Sequence, residues 1–135
     1  MQTIVQTEFA KSVLESGDSI ETISAQCSSN VKSCHDTTNT NYQVPVGRKY
    51  VIHSIVFLPS GAGAPQLRLW VGSTVDSSAG ATQVLQDFEY KLTNDSSAVY
   101  IPCYIEVAAG NYVNPEATNS GEKINVIVNG VETSA

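Results

Sequence analysis

The sequence predicts an all-β chain, an antiparallel β-sandwich of jelly-roll-like form, and three observations carry that expectation. Valine and isoleucine together number 25 while leucine appears 6 times among 135 residues, a balance that favours strands over helices. Several segments alternate apolar and polar residues with period two, the pattern of half-buried strands. Between them lie clusters of Gly, Pro, Ser and Asn that read as turns. The length fits one domain with one core, and a hydrophobic content of 41% is too high for a disordered chain.

Taken in order, Ile4, Val5 and Phe9 predict an opening strand. Glu8 to Ser16 reads either as a short helix stopped by Gly17 or as one arm of a hairpin turning at Gly17-Asp18. The hairpin is preferred, because Ser19 to Ser24 then reads as its partner. Asn30 to Gln43 is polar and reads as an exposed loop. Residues 1–40 are therefore expected to form an arm or hairpin that packs on or extends a sandwich spanning 41–135. The run Tyr50 to Leu58 is apolar on both faces, which fits a central strand covered on each side, on one of them by another protomer. Leu67, Leu69 and Val71 share a face, as do Val84, Phe88, Tyr90 and Leu92. Val99, Ile101, Cys103, Ile105 and Val107 form the cleanest stripe, and Ile124, Val126 and Val128 close the series. Pro59 to Pro65, Asp76 to Gly80, Asn94 to Ser97 and Asn114 to Gly121 read as loops. Val44-Pro45-Val46-Gly47 and Val107-Ala108-Ala109-Gly110 are similar turns, each followed by Tyr-Val within three residues, whose glycines supply a positive φ.

Charge narrows the partners. Seven basic residues against 13 acidic ones give a net charge of -6, so nucleic acid is not an expected partner. No apolar run is long enough to span a bilayer, and the first residues lack the basic and apolar regions of a signal peptide. The segment Thr37 to Val75 holds Arg48, Lys49 and Arg68 and no acid, whereas Asp76 to Ala135 holds eight acids against Lys91 and Lys123. Two readings follow. Either the segments form opposite faces that meet in an assembly, with Arg48, Lys49 and Arg68 as a basic contact patch, or they neutralise one another within one fold.

The inventory for chemistry is thin. Cys27 and Cys34 enclose a short polar loop that a disulfide could close. The alternative, zinc held by Cys27, Cys34 and His35, lacks a fourth ligand. Cys103 is expected in the core, and His53, inside an apolar strand, as a packed residue. Asp87 and Glu89 share a strand face, the arrangement a glycosidase would need, but Lys91 continues that face as a solvated one. Calcium at Asp76 or Asn94-Asp95 lacks the usual ligand spacing. A cupin-type enzyme would need clustered histidines, which two isolated ones do not supply. No enzyme activity and no cofactor are expected. Trp70, Tyr100 and Tyr104 alternate with the core stripes, placing them where aromatic rings stack on sugars or fill a contact with another subunit. The subunit contact is preferred.

The segment Tyr42-Gln43-Val44-Pro45-Val46-Gly47-Arg48-Lys49-Tyr50-Val51-Ile52-His53-Ser54-Ile55 resembles a recurrent pattern in small tailed-bacteriophage virion proteins, where a glycine turn leads into a strand. Ile105 to Gly110 and Val126 to Glu132 are similar to parts of such chains. Val46 stands where that pattern has a small residue, and the first forty residues match nothing in it. The resemblance implies a β-sandwich that coats or joins a phage particle. In the preferred form it is a head decoration (cement) protein on the virion surface, a homotrimer made in the host cytoplasm and bound to the major capsid protein or another virion protein. The alternative is a tail component or adhesin that binds host carbohydrate through Trp70, Tyr100 and Tyr104.

Overall fold

The computed structural model describes residues 17–27, 33–36, 38–60, 66–89, 98–117 and 123–135. Seven strands follow in order: β1 (Ser19–Cys27), β2 (Arg48–Ser60), β3 (Gln66–Gly72), β4 (Thr82–Glu89), β5 (Val99–Ala108), β6 (Tyr112–Ala117) and β7 (Lys123–Ser134). They form a four-stranded sheet, β1-β7-β2-β5, and a three-stranded sheet, β4-β3-β6. Every pairing is antiparallel. Inward side chains of both sheets, among them Ile23, Tyr50, Phe57, Leu67, Leu69, Val113 and Val126, meet in a single buried cluster. The chain is an all-β antiparallel sandwich.

The pairing is nested: β1 with β7, β2 with β5, β3 with β4. A long hairpin folded over on itself gives this order, which is the jelly-roll path. The place of a further strand, between β1 and β2 in sequence and beside β6 in space, is taken by residues 33–44. The sequence reads 30–43 as an exposed loop, yet Ser33, Cys34 and Tyr42 are buried. Its backbone bridges to β1 at Ser24↔His35 and to β6 at Gln43↔Tyr112, and Cys34 N–H donates to Val113 O at 2.9 Å. Polar composition hid a short reversal, His35 bridged to Asn41, whose two ends tuck Cys34 and Tyr42 into the core. One flank of the sandwich is thereby laced shut. On the other flank β5 and β4 are sheet edges, with no ladder joining them among the described residues.

Period two explains the main strands. In β1, Ile23, Ala25 and Cys27 are buried while Ser24 and Gln26 are exposed. In β7, Ile124, Val126 and Val128 are buried and the residues between are half-buried. β5 alternates along its whole length, but only Val107 is buried. Cys103, expected in the core, is half-covered because β5 is the edge strand of its sheet. β2 is central, between β7 and β5, as the two-faced apolar run requires. A register shift between Ile52 and Ser54 interrupts its ladders with both neighbours. His53 follows Lys49 and Val51 onto the exposed outer face rather than packing inside, and the bulge changes the phase of the strand beyond it, so that Ile55 and Phe57 point into the core.

One further difference concerns a turn. Asn114 and Pro115 lie within β6, where a loop is expected. Proline is tolerated there because β6 is an edge strand. The similar turns at Gly47 (φ 78°) and Gly110 (φ 82°) both take the predicted positive φ. They are also neighbours in space, since Gly110 N–H donates to Val44 O at 2.8 Å and Val44 N–H to Asn111 O at 3.0 Å. The expected opening strand and the helix or hairpin arm at Glu8 to Ser16 lie outside the described residues, as does the loop Asn94 to Ser97.

Candidate functional site

The outer face of the four-stranded sheet carries the functional interest. Outward positions are Ile20, Thr22, Ser24 and Gln26 of β1, then Asn125, Ile127, Asn129 and Val131 of β7. β2 adds Lys49, Val51, His53, Ser54, Val56 and Leu58, and β5 adds Tyr100, Pro102, Tyr104 and Glu106; these assignments follow from the paired registers. No other layer of the described chain covers this face. Ile20, Tyr100 and Tyr104 are 67%, 64% and 66% exposed, unusual for large apolar side chains in ordered strands. The His53 and Tyr104 rings meet edge to face, with centroids 6.1 Å apart. Beside them is a shallow depression of about 320 Å³, bordered by Asp18, Lys49, Val51, Val131 and Thr133.

Polar groups on this face are joined sideways. Thr22 Oγ1 donates to Asn129 Oδ1 at 3.4 Å, and Asn129 Nδ2 donates to Ser54 Oγ at 3.2 Å. Gln26 Nε2 donates to Asn125 Oδ1 at 3.2 Å. Glu106 accepts from Tyr104 OH at 2.9 Å and from Lys49 Nζ at 3.3 Å. Those two bonds, Tyr104 first, hold the Glu106 carboxyl below the usual range.

The structure answers the charge question pair by pair. Arg48 Nε meets Glu132 at 3.2 Å, Lys49 meets Glu106 at 3.3 Å, and Arg68 meets Glu116 at 4.0 Å. Each base of the acid-free segment thus has an acid from the acidic one. The three bases do not converge: Lys49 lies on the outer face just described, Arg48 at the start of β2, and Arg68 on the three-stranded sheet. Arg48 also donates to Gly17 O at 2.5 Å and to Glu132 O at 3.1 Å. Glu132 further accepts from Tyr42 OH at 2.6 Å, and the Tyr42 ring meets Tyr50 at 5.3 Å. This group ties the start of β1 and the end of β7 to the core; it is structural.

The three aromatic candidates are separated. Tyr100 and Tyr104 share the outer face of the four-stranded sheet, while Trp70 lies on the outer face of the other sheet, its Nε1 donating to Glu116 Oε2 at 2.8 Å. They form no common platform. Near Trp70 lies a buried polar knot that no sequence pattern announces. Asn114 is fully buried; its Nδ2 donates to Thr74 O at 2.9 Å and Ser77 O at 3.0 Å, and its Oδ1 accepts from Ser33 Oγ at 2.8 Å. Asp76, at positive φ, accepts from Ser33 N–H, and its own N–H donates to Ser33 Oγ at 3.1 Å. The carboxylate considered for calcium is used as a loop clamp.

All three cysteines are free thiols, with Cys27 and Cys34 both buried. Burial raises the Cys27 thiol to about 12 and the Cys34 thiol further. Cys27 Sγ reaches Ile124 O at 3.7 Å. Among the described residues no three His, Cys, Asp or Glu side chains gather as metal ligands would. Of Asp87 and Glu89 only the backbone is described.

No protein-family model matches the chain, and no curated protein matches it. Two solved structures are similar to it, both described as a pentameric capsid protein isolated from metagenomic phage sequences. One match covers 84% of this chain and 61% of the other, at 16% identity and a TM-score of 0.36. The second covers 98% of this chain and 78% of the other, also at 16% identity and a TM-score of 0.36. This chain therefore spans 61% of the length of the first of these proteins.

Sequence reasoning missed Ile20, His53 and Asn114. The two-faced apolar run of β2 was the available signal for the outer face. Ile20 escaped because its strand partner, β7, is more than a hundred residues away.

Proposed function

We propose that this chain is a non-enzymatic virion structural protein, a capsid decoration (cement) protein that coats the outside of a phage head and assembles as a homotrimer. The observation that carries the reading is the outer face of the four-stranded sheet, an ordered surface rich in apolar and uncharged polar side chains. Such depletion of charge with exposed tyrosine is the composition of the centre of a protein–protein contact. The likeness of residues 42–55 to small virion proteins supports the same reading, as does a chain with only five lysines, whose ordering at contacts costs side-chain entropy.

Co-sedimentation tests it. The chain is mixed with purified heads of the phage that encodes it, and light scattering gives its mass in solution. Saturable binding to heads and a trimeric mass are expected. A chain that stays in the supernatant at every ratio refutes the coat reading.

A further inference from the structure

We infer that the outer face of the four-stranded sheet is covered by a second copy of this chain. The inference rests on the proposed function only in taking the protein to assemble with itself, and it names the surface.

Charge selects the occupant. At a net charge of -6 two copies repel, unless they meet where the local charge vanishes. Within its strands this face carries Lys49 and Glu106, bonded to each other, and Lys123 at the far end of β7, in register with Ser60; Asp18 stands at its rim. A basic partner would gain nothing from a face whose charges balance, and a nucleic acid would find only Lys123 beside a neutralised Lys49. A second copy meets no repulsion there.

Desolvation points the same way. Covering a face strands any polar group that gives up water without a substitute. Here Thr22, Ser54 and Asn129 form one chain of hydrogen bonds, Gln26 and Asn125 another, and Tyr104, Glu106 and Lys49 a third. These bonds already exist before anything docks.

Shape completes the case. Ile20 and Tyr104 project, each about two-thirds exposed. Next to them the depression over Val51 and Val131 offers about 320 Å³, enough for one such side chain. Projection and recess occupy different parts of this surface, so each copy can seat its projection in the recess of the next, the head-to-tail contact that a trimer requires.

The test is the mass of the full chain by sedimentation velocity over a wide concentration range. It is run for the wild type, for Ile20→Asp, for Tyr104→Asp, and for Val46→Asp as a control. Val46 is 95% exposed in the turn before β2, away from the face. The wild type is expected to self-associate. Each face variant should weaken association by about 10-fold or more with circular dichroism unchanged, and Val46→Asp should behave as wild type. A monomeric wild type overturns the inference, and so do face variants that keep the wild-type mass or a control that dissociates equally. A monomer that instead binds a glycan array through Tyr104 assigns the face to saccharide and also overturns it. Head binding is scored separately: an oligomer that leaves heads bare refutes the coat reading while this surface stands.

Discussion

Asn114 offers the sharpest test of the fold. Its side chain is completely buried and makes three hydrogen bonds, donating to Thr74 O and Ser77 O and accepting from Ser33 Oγ. Asn114→Ala removes all three. At a net value of about 1 kcal/mol each, the loss is about 3 kcal/mol, equivalent to a fall in Tm on the order of 10 °C for a chain of this size. Asn114→Asp retains the acceptor for Ser33, but sets a second oxygen against two carbonyl oxygens and buries a charge. Its loss should be larger, about 3–5 kcal/mol. Urea unfolding followed by circular dichroism measures both. The reasoning fails if Asn114→Ala costs less than about 1 kcal/mol, or if the aspartate variant is the more stable of the two.

Three other outcomes are expected. Gly130→Ala places a Cβ against Val51 O and 2.7 Å from the Tyr50 ring; because the nearer obstacle is backbone, stability should fall by about 3 kcal/mol, measured by the same melts. The Asp36 carboxyl, held low first by the hydroxyl of Thr38 and then by the Thr40 N–H, should titrate below an ordinary aspartate in an NMR pH series. Its stabilising contribution is present above the unfolded pKa and is lost as pH falls through the folded one; Thr38→Val should move that titration upward, and an unmoved one would remove the hydroxyl from the account. Since the thiolate is the reactive form and burial holds all three thiols protonated, native protein should alkylate slowly at mildly alkaline pH, half-covered Cys103 first. Unfolded protein should yield three thiols by mass, and rapid native labelling of Cys34 would contradict its burial.

Much of the fold was legible in the sequence because period two is a local signal. Val99 to Val107 and Ile124 to Val128 announce both a strand and its inward side. Where the structure departs, a non-local cause is visible. The bulge after Ile52 reverses the phase of β2 and brings Ile55 and Phe57 into the core, and no residue type at that point encodes it. Asn114 and Pro115 carry turn chemistry, yet the loop carbonyls of Thr74 and Ser77 satisfy the asparagine and allow it to sit inside a strand. The candidate site was half legible for the same reason. Alternation correctly set Trp70, Tyr100 and Tyr104 on outward positions, but it cannot say to which sheet each strand belongs. The bases of residues 37–75 likewise showed their excess locally, while their partners Glu106, Glu116 and Glu132 come from strands far along the chain.

The nested pairing has a consequence for how the protein is made. β7 is hydrogen-bonded to both β1 and β2, so the first described strand has no ladder until the last one exists. A ribosome releasing this chain residue by residue delivers β1 and β2 long before the strand that joins them. Closure of so many distant contacts belongs to the slow end of folding. A product that stops short of Lys123 forfeits the centre of the larger sheet rather than its margin. Only a chain that already carries β7 can join β1 to β2 and complete the larger sheet.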